Sequence, residues 1–264
     1  MLKNNTLLHI QKLSTGYTSR AFGLFGKKNI KPVLNNIDLE INYGEIFGLV
    51  GESGCGKTTF GKSILGLMDY DGEIIIDGLK QGKKCRKEMS KKVQAVFQDP
   101  SSALNPSKTV GFLMEEPLKI HEIGTKSVRE EKVDNMLNLV GLDPSYKSRK
   151  PYELSGGQKQ RICIAISLIL EPKLIIADEP ISSLDVSVGA QILNLFQELH
   201  KNLGISFLFI SHNIKAVYYL CNRIAVMYKG EIVEVGSAES IYNSPKHHYT
   251  KFLLSAEKEM TEAM

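Results

Sequence analysis

One short segment constrains this chain more than any other. Gly51-Glu52-Ser53-Gly54-Cys55-Gly56-Lys57-Thr58 follows the G-x-x-x-x-G-K-[ST] pattern. An apolar run, Ile46 to Val50, precedes it, and a helical run, Thr59 to Met68, follows it. The glycines let successive backbone N–H groups turn inward. The helix that starts there points its positive end at the same place, so the loop is shaped for an anion. A lysine in this position reaches β- and γ-phosphates, and the following hydroxyl serves Mg²⁺. A chance glycine-rich turn would not require both flanks. Gly51, Ser53, Gly54, Cys55, Gly56, Lys57, Thr58 and Thr59 are therefore expected to hold a nucleotide.

The flanking pattern also sets the fold class. Further apolar runs occur at Lys92–Phe97, Leu174–Ala177 and Ile205–Ile210. Near-continuous apolar runs are what strands buried on both faces look like. Helical patterns lie between several of them, which predicts an α/β core with a mainly parallel sheet. Ile37 to Ile41 and, in part, Ile74 to Asp77 alternate instead, and Ile224 to Val235 holds a Lys229-Gly230 turn. These predict half-exposed antiparallel strands. From Ser107 to Tyr152 the texture becomes helical. Ser127 to Glu130 has capping-box spacing, Val133, Met136, Leu137 and Val140 follow a helical period, and Gly141 stands at the expected stop. The basic stretch Gly23 to Lys31 reads as an exposed loop.

Composition serves mainly to exclude. With 264 residues, 42% hydrophobic and 23% charged, the chain is neither disordered, collagen-like nor a coiled coil. A net charge of +4 gives no argument for nucleic acid. The longest apolar run, Ile162 to Leu170, falls short of the roughly 18 residues of a membrane span. No basic-apolar leader opens the sequence, so a cytoplasmic chain is expected. Cys55, Cys85, Cys163 and Cys221 have no metal-site or disulfide spacing. Cys55 has two readings: a small residue fitting a tight loop, or a thiol activated by nearby positive charge.

Other polar residues fall at strand ends, where open α/β sheets bind ligands. Asp178 and Glu179 end the run from Leu174. One carboxylate there suits Mg²⁺ and the next can polarise a water. Gln98 follows Val93–Phe97, and His212 follows Ile205–Ser211. Leu154-Ser155-Gly156-Gly157-Gln158 opens a second helix, which Ser155 can cap, making a second cradle for an anion. Physical reasoning alone does not say where that cradle is used.

These motifs, in this order, resemble the nucleotide-binding subunits of ABC transporters. Leu154 to Gln158 resembles the family signature, Gly51 to Thr58 its Walker A loop and Leu174 to Asp178 its Walker B strand. The resemblance makes Glu179 the catalytic glutamate, Gln98 the Q-loop glutamine, Asp185 (in Ser183-Leu184-Asp185) the D-loop aspartate and His212 the switch histidine. Tyr17 resembles the aromatic that stacks on adenine. It further implies ATP as the nucleotide, Mg²⁺ bound by Thr58, Gln98 and Asp178, and a P-loop NTPase cassette. That cassette has a parallel core, an antiparallel β subdomain and an inserted helical subdomain. The implied boundaries are a core at about 1–98 and 159–235, a helical subdomain at about 99–158 and an extension at about 236–264. A second cassette subunit would pair head to tail, bringing Ser155, Gly156, Gly157 and Gln158 to its partner's ATP. Two membrane-spanning permease subunits and, indirectly, an extracytoplasmic binding protein complete the implied assembly at the cytoplasmic face of the membrane.

A narrower resemblance, to the peptide and nickel import branch, rests on Gln98 to Pro106, Leu184 to Val188 and Tyr249 to Leu254. Phe22 to Gly26 suits its oligopeptide-type members. The sequence departs from the branch in three places. No cysteine follows Cys221, which leans toward nickel-type subunits; His247-His248 replaces His-Pro; and Asn213 follows the switch histidine where Asp is usual. The competing class is an ABC-type ATPase acting on nucleic acid or ribosomes. DNA-repair relatives carry long heptad arms, whereas here about a hundred residues without sustained heptads separate the two glycine motifs. Nucleic acid is therefore not expected as a partner.

Overall fold

The structure is a computed structural model that describes residues 5–20 and 28–262. In chain order the elements begin with β1 (Thr6–Arg20), β2 (Lys28–Asn42), β3 (Ile46–Val50), α1 (Lys57–Ile64), β4 (Asp71–Ile76), β5 (Leu79–Lys80), α2 (Arg86–Lys92) and β6 (Val93–Val96). Then come α3 (Pro100–Ala103), α4 (Val110–Ile120), α5 (Lys126–Leu139), α6 (Gly156–Leu168), β7 (Leu174–Asp178), α7 (Val186–Leu203) and β8 (Ser206–Ser211). The chain closes with α8 (Ile214–Leu220), β9 (Arg223–Tyr228), β10 (Glu231–Ser237), α9 (Ala238–Asn243) and α10 (His248–Glu262). It divides into two compact units, residues 1–89 with 208–264, and residues 90–207.

The first unit contains an antiparallel sheet in the order β2-β1-β4-β5. Beside β3 runs β9, parallel to it, and β10 returns antiparallel to β9. The β9–β10 turn holds Lys229 at φ 48° and Gly230 at φ 82°, the two positive dihedrals of a tight hairpin. The turn read from Lys229-Gly230 is thus in place, but β9 is not the half-exposed strand expected: Ile224 to Met227 are buried, because β9 pairs with β3 on one side and β10 on the other. Strand β1 has no counterpart in the expectations. Leu7, Leu8, Ile10 and Leu13 are all buried, yet they do not alternate. The register shifts between Ile10 and Leu13, and Lys12 sits at φ 51°. A bulge of this kind erases the period of two that marks a strand. Of the basic loop expected at Gly23–Lys31, Lys28 to Lys31 belong to β2 instead, and residues 23–27, with the whole of the Phe22–Gly26 match, lie outside the described residues.

In the second unit β6 and β7 pair in parallel, Val93 opposite Leu174 through Val96 opposite Ala177. Helices α3 to α7 make up most of the rest. The start of α5 differs from the expected Ser127 cap. Thr125 is the N-cap, its hydroxyl accepting from the Val128 N–H, and Ser127 lies inside the first turn. Gly124, at φ 65°, turns the chain immediately before, so the helix begins at the first hydroxyl residue after that turn. The far end is as expected: Val133, Leu137 and Val140 are buried and Gly141, at φ 72°, ends the helix. Among the described residues, no helix is long and apolar enough to cross a membrane.

Candidate nucleotide site

The glycine-rich loop joins β3, buried along its whole length, to α1. Gly56 is the N-cap of α1 at φ 116°, and no side chain caps the helix. No acidic residue lies in its first turn, so the positive helix end is left for an anion. Space and backbone both demand glycine here. A Cβ on Gly51 would lie 2.3 Å from the Met227 carbonyl oxygen, and one on Gly56 would lie 2.8 Å from Leu34 Cδ2. Lys57 is buried at 6% exposure, and its ammonium donates to the carbonyls of Gly51 (2.7 Å) and Glu52 (3.0 Å). The loop therefore wraps a cation as well as presenting N–H groups.

Two other segments of the same unit brace this loop. The Gly230 N–H donates to the Cys55 carbonyl at 2.9 Å, and the Glu52 N–H donates to the Tyr249 hydroxyl at 3.1 Å. Tyr17 stands exposed, with its hydroxyl 3.3 Å from Thr59 Oγ1, which brings the aromatic to the start of α1. Cys55 is buried, and that burial raises its pKa, with the Lys57 charge pulling the other way. Desolvation is the larger effect, which favours the small-residue reading over the activated thiol. His212 is exposed just past β8. Asn213 caps α8, its side chain accepting from the Ala216 N–H at 2.9 Å. Asn and Asp are comparable N-caps, so the Asp-to-Asn departure leaves the α8 cap in place.

The second unit carries the other candidates. Asp178 ends β7 at 6% exposure, and Glu179 follows at 9%. Glu179 adopts φ 51°, unusual for a residue with a side chain, and its carbonyl accepts from Ser182 N–H (3.2 Å) and Ser182 Oγ–H (3.0 Å). Such outliers persist only where surrounding contacts impose them, and they cluster at active sites. Gln98 lies beyond β6, exposed, and its carbonyl accepts from Ser183 Oγ at 3.4 Å. Asp185 caps α7, accepting from Val188 N–H (2.9 Å) and Ser187 Oγ (2.8 Å), and those bonds lower its pKa and keep it ionised.

Ser155 caps α6 and forms a full capping box. The Gln158 N–H donates to Ser155 Oγ at 3.3 Å, and the Ser155 N–H donates to Gln158 Oε1 at 3.0 Å. Gln158 Nε2 then donates to the Tyr146 hydroxyl at 3.0 Å. The reciprocal bond was legible as Ser-x-x-Gln spacing, whereas the sequence reading credits Ser155 alone. Gly157 is held to glycine by packing, since a Cβ would meet Val188 Cγ1 at 2.6 Å. Sequence reasoning also missed Tyr249. Its contact with the loop spans 197 positions, and no local pattern announces such a bond.

Residues 34–182 match the family described as ABC transporter. The oligopeptide transport ATP-binding protein AmiF of Streptococcus pneumoniae is 48% identical over 242 residues, 89% of this chain and 78% of that protein. OppF of Bacillus subtilis, an oligopeptide transport ATP-binding protein, is 48% identical over 229 residues, 84% of this chain and 75% of that one. Among solved structures, a dimeric post-hydrolysis state of the ATP-binding cassette MJ0796 bound to ADP and Pi superposes with a TM-score of 0.75 at 28% identity, covering 88% of this chain and 99% of that one. The structure of cbiO1 from Clostridium perfringens, part of the ABC transporter complex cbiONQ, gives 0.79 at 25% identity, covering 98% and 100%.

Proposed function

The chain belongs to the ABC transporter family as an ATP-hydrolysing cassette, and from that premise we propose that it energises the import of oligopeptides. The observation that carries the ATPase half is the loop itself: an uncapped glycine start to α1 wrapped around the buried Lys57. The peptide half rests on relatives at 48% identity named for oligopeptide transport. Those names favour peptide over nickel as cargo, against the lean taken from the missing cysteines.

We place the core at about 1–98 and 159–235, the helical subdomain at about 99–158 and the extension at about 236–264. Gly51, Ser53, Gly54, Cys55, Gly56, Lys57, Thr58 and Thr59 cradle the phosphates of ATP, and Tyr17 stacks on its base. Water attacks the γ-phosphate in line, without a covalent intermediate. Lys57 stabilises the charge that develops there, Glu179 orients or deprotonates the water, and His212 contacts the γ-phosphate oxygens. Thr58, Gln98 and Asp178 supply hydroxyl, amide and carboxylate oxygens, the hard donors that Mg²⁺ prefers. Mg²⁺ held by these residues would supply positive charge against the phosphate oxygens.

A second cassette subunit pairs head to tail with this one, so that Ser155, Gly157 and Gln158 meet the partner's γ-phosphate, and Gly156 and the D-loop Asp185 complete the nucleotide-binding set. Two permease subunits span the membrane, this chain sits peripherally on their cytoplasmic side, and an extracytoplasmic binding protein delivers the peptide. The direct test is Lys57→Ala. It should abolish tight MgATP binding, and unchanged affinity would remove the phosphate-cradle assignment.

A further inference from the structure

The segment that follows β10 is where the sequence offers a motif without a task. Tyr249 is the second residue of α10 and is 4% exposed. Its ring lies against Tyr228 with centroids 4.1 Å apart. The start of the helix is fixed by Glu234, whose carboxylate accepts from the Lys246 N–H (2.8 Å) and the His247 N–H (3.1 Å). Tyr249 is thus an immobilised phenol. Burial raises its pKa, so it stays neutral and keeps its lone pairs available across the working pH range.

What the phenol touches is specific. The Glu52 N–H donates to its oxygen at 3.1 Å, while the Gly51 carbonyl accepts from Lys57 Nζ at 2.7 Å. Gly51 C=O and Glu52 N–H are the two ends of one peptide group. A planar peptide held at both ends cannot rotate without breaking one bond. Turning that plane would take one of the two carbonyls that hold the Lys57 ammonium, the other being the next one, Glu52 O, at 3.0 Å.

We propose that Tyr249 is a positioning residue for the nucleotide, its hydroxyl locking the Gly51–Glu52 peptide so that the carbonyl faces Lys57. The inference rests on the reading of Gly51–Thr59 as the ATP cradle and gives the C-terminal segment a part in it. The segment then reports to the ATP site: a change that displaces α10 releases the loop, and nucleotide affinity falls.

Tyr249→Phe removes the oxygen and keeps the ring stacked on Tyr228. In the full-length protein, calorimetric titration with ATP should show affinity about 3- to 10-fold weaker, the size of one hydrogen bond. The hydrolysis rate at saturating ATP should be unchanged. Amide exchange should quicken in the peptide spanning Glu52 and not in β9 or α10. Unchanged affinity together with unchanged exchange at Glu52 would overturn the proposal. So would exchange that quickens throughout β9 and α10, because that would make Tyr249 a core residue only. Lys57→Ala, run in parallel, separates the two layers. If it binds ATP normally, the cradle itself is misassigned; if it fails to bind while Tyr249→Phe is like the parent, only the positioning role falls.

Discussion

Glu179 and Gly56 show how single residues carry the account. Glu179 combines near-complete burial with φ 51°, and its carbonyl accepts two bonds from Ser182. Glu179→Gln keeps the shape and removes the carboxylate proposed to orient or deprotonate the water. Hydrolysis is expected to fall by about 10²- to 10⁴-fold with ATP binding retained, read by phosphate release and by titration. Gly56 sits at φ 116°, a backbone conformation that a residue with a side chain is strained to adopt. Gly56→Ala is expected to lose nucleotide binding while far-UV dichroism stays that of the parent. At Cys55 the direction of the pKa sets a pH test. A raised pKa means less thiolate at any given pH than an ordinary free thiol at about 8.5. Alkylation of Cys55, followed by mass spectrometry, is expected to be slow at pH 8 and still rising above pH 9. Most of these residues were legible because each lies at a strand end or in a spaced glycine motif. Tyr249 was not, because its role is a long-range bond.

At the level of elements, local rules succeeded where the pattern was uninterrupted. β3, β7 and β8 are buried on both faces, and their apolar runs say so directly. β1 was hidden because the bulge near Lys12 shifts its register and puts consecutive leucines inside. The start of α5 was displaced because Thr125 and Ser127 are both competent caps and only the turn at Gly124 chooses between them. That choice is testable by thermal unfolding. Thr125→Ala is expected to cost about 1 kcal/mol, whereas Ser127→Ala should be close to neutral. The hairpin turn gives a sharper case. Gly230→Ala would bring a Cβ to 2.1 Å from the Val33 carbonyl and strain a φ of 82°, so unfolding should occur at a clearly lower temperature.

For the molecule as a whole, the chain is an ATP-hydrolysing member of a transporter family and contains, among its described residues, no helix that could itself cross a membrane. The net charge of +4 and the absence of heptad arms were informative only as exclusions, and cargo was beyond the sequence because no residue of a cassette in the proposed importer touches it. The preference for peptide comes from relatives. The most direct measurement is peptide uptake by cells in which this chain is replaced by Glu179→Gln at equal abundance. Loss of ATP-driven peptide uptake, with the variant still bound to the membrane fraction, is the predicted result. Peptide uptake at the parent rate would contradict the account.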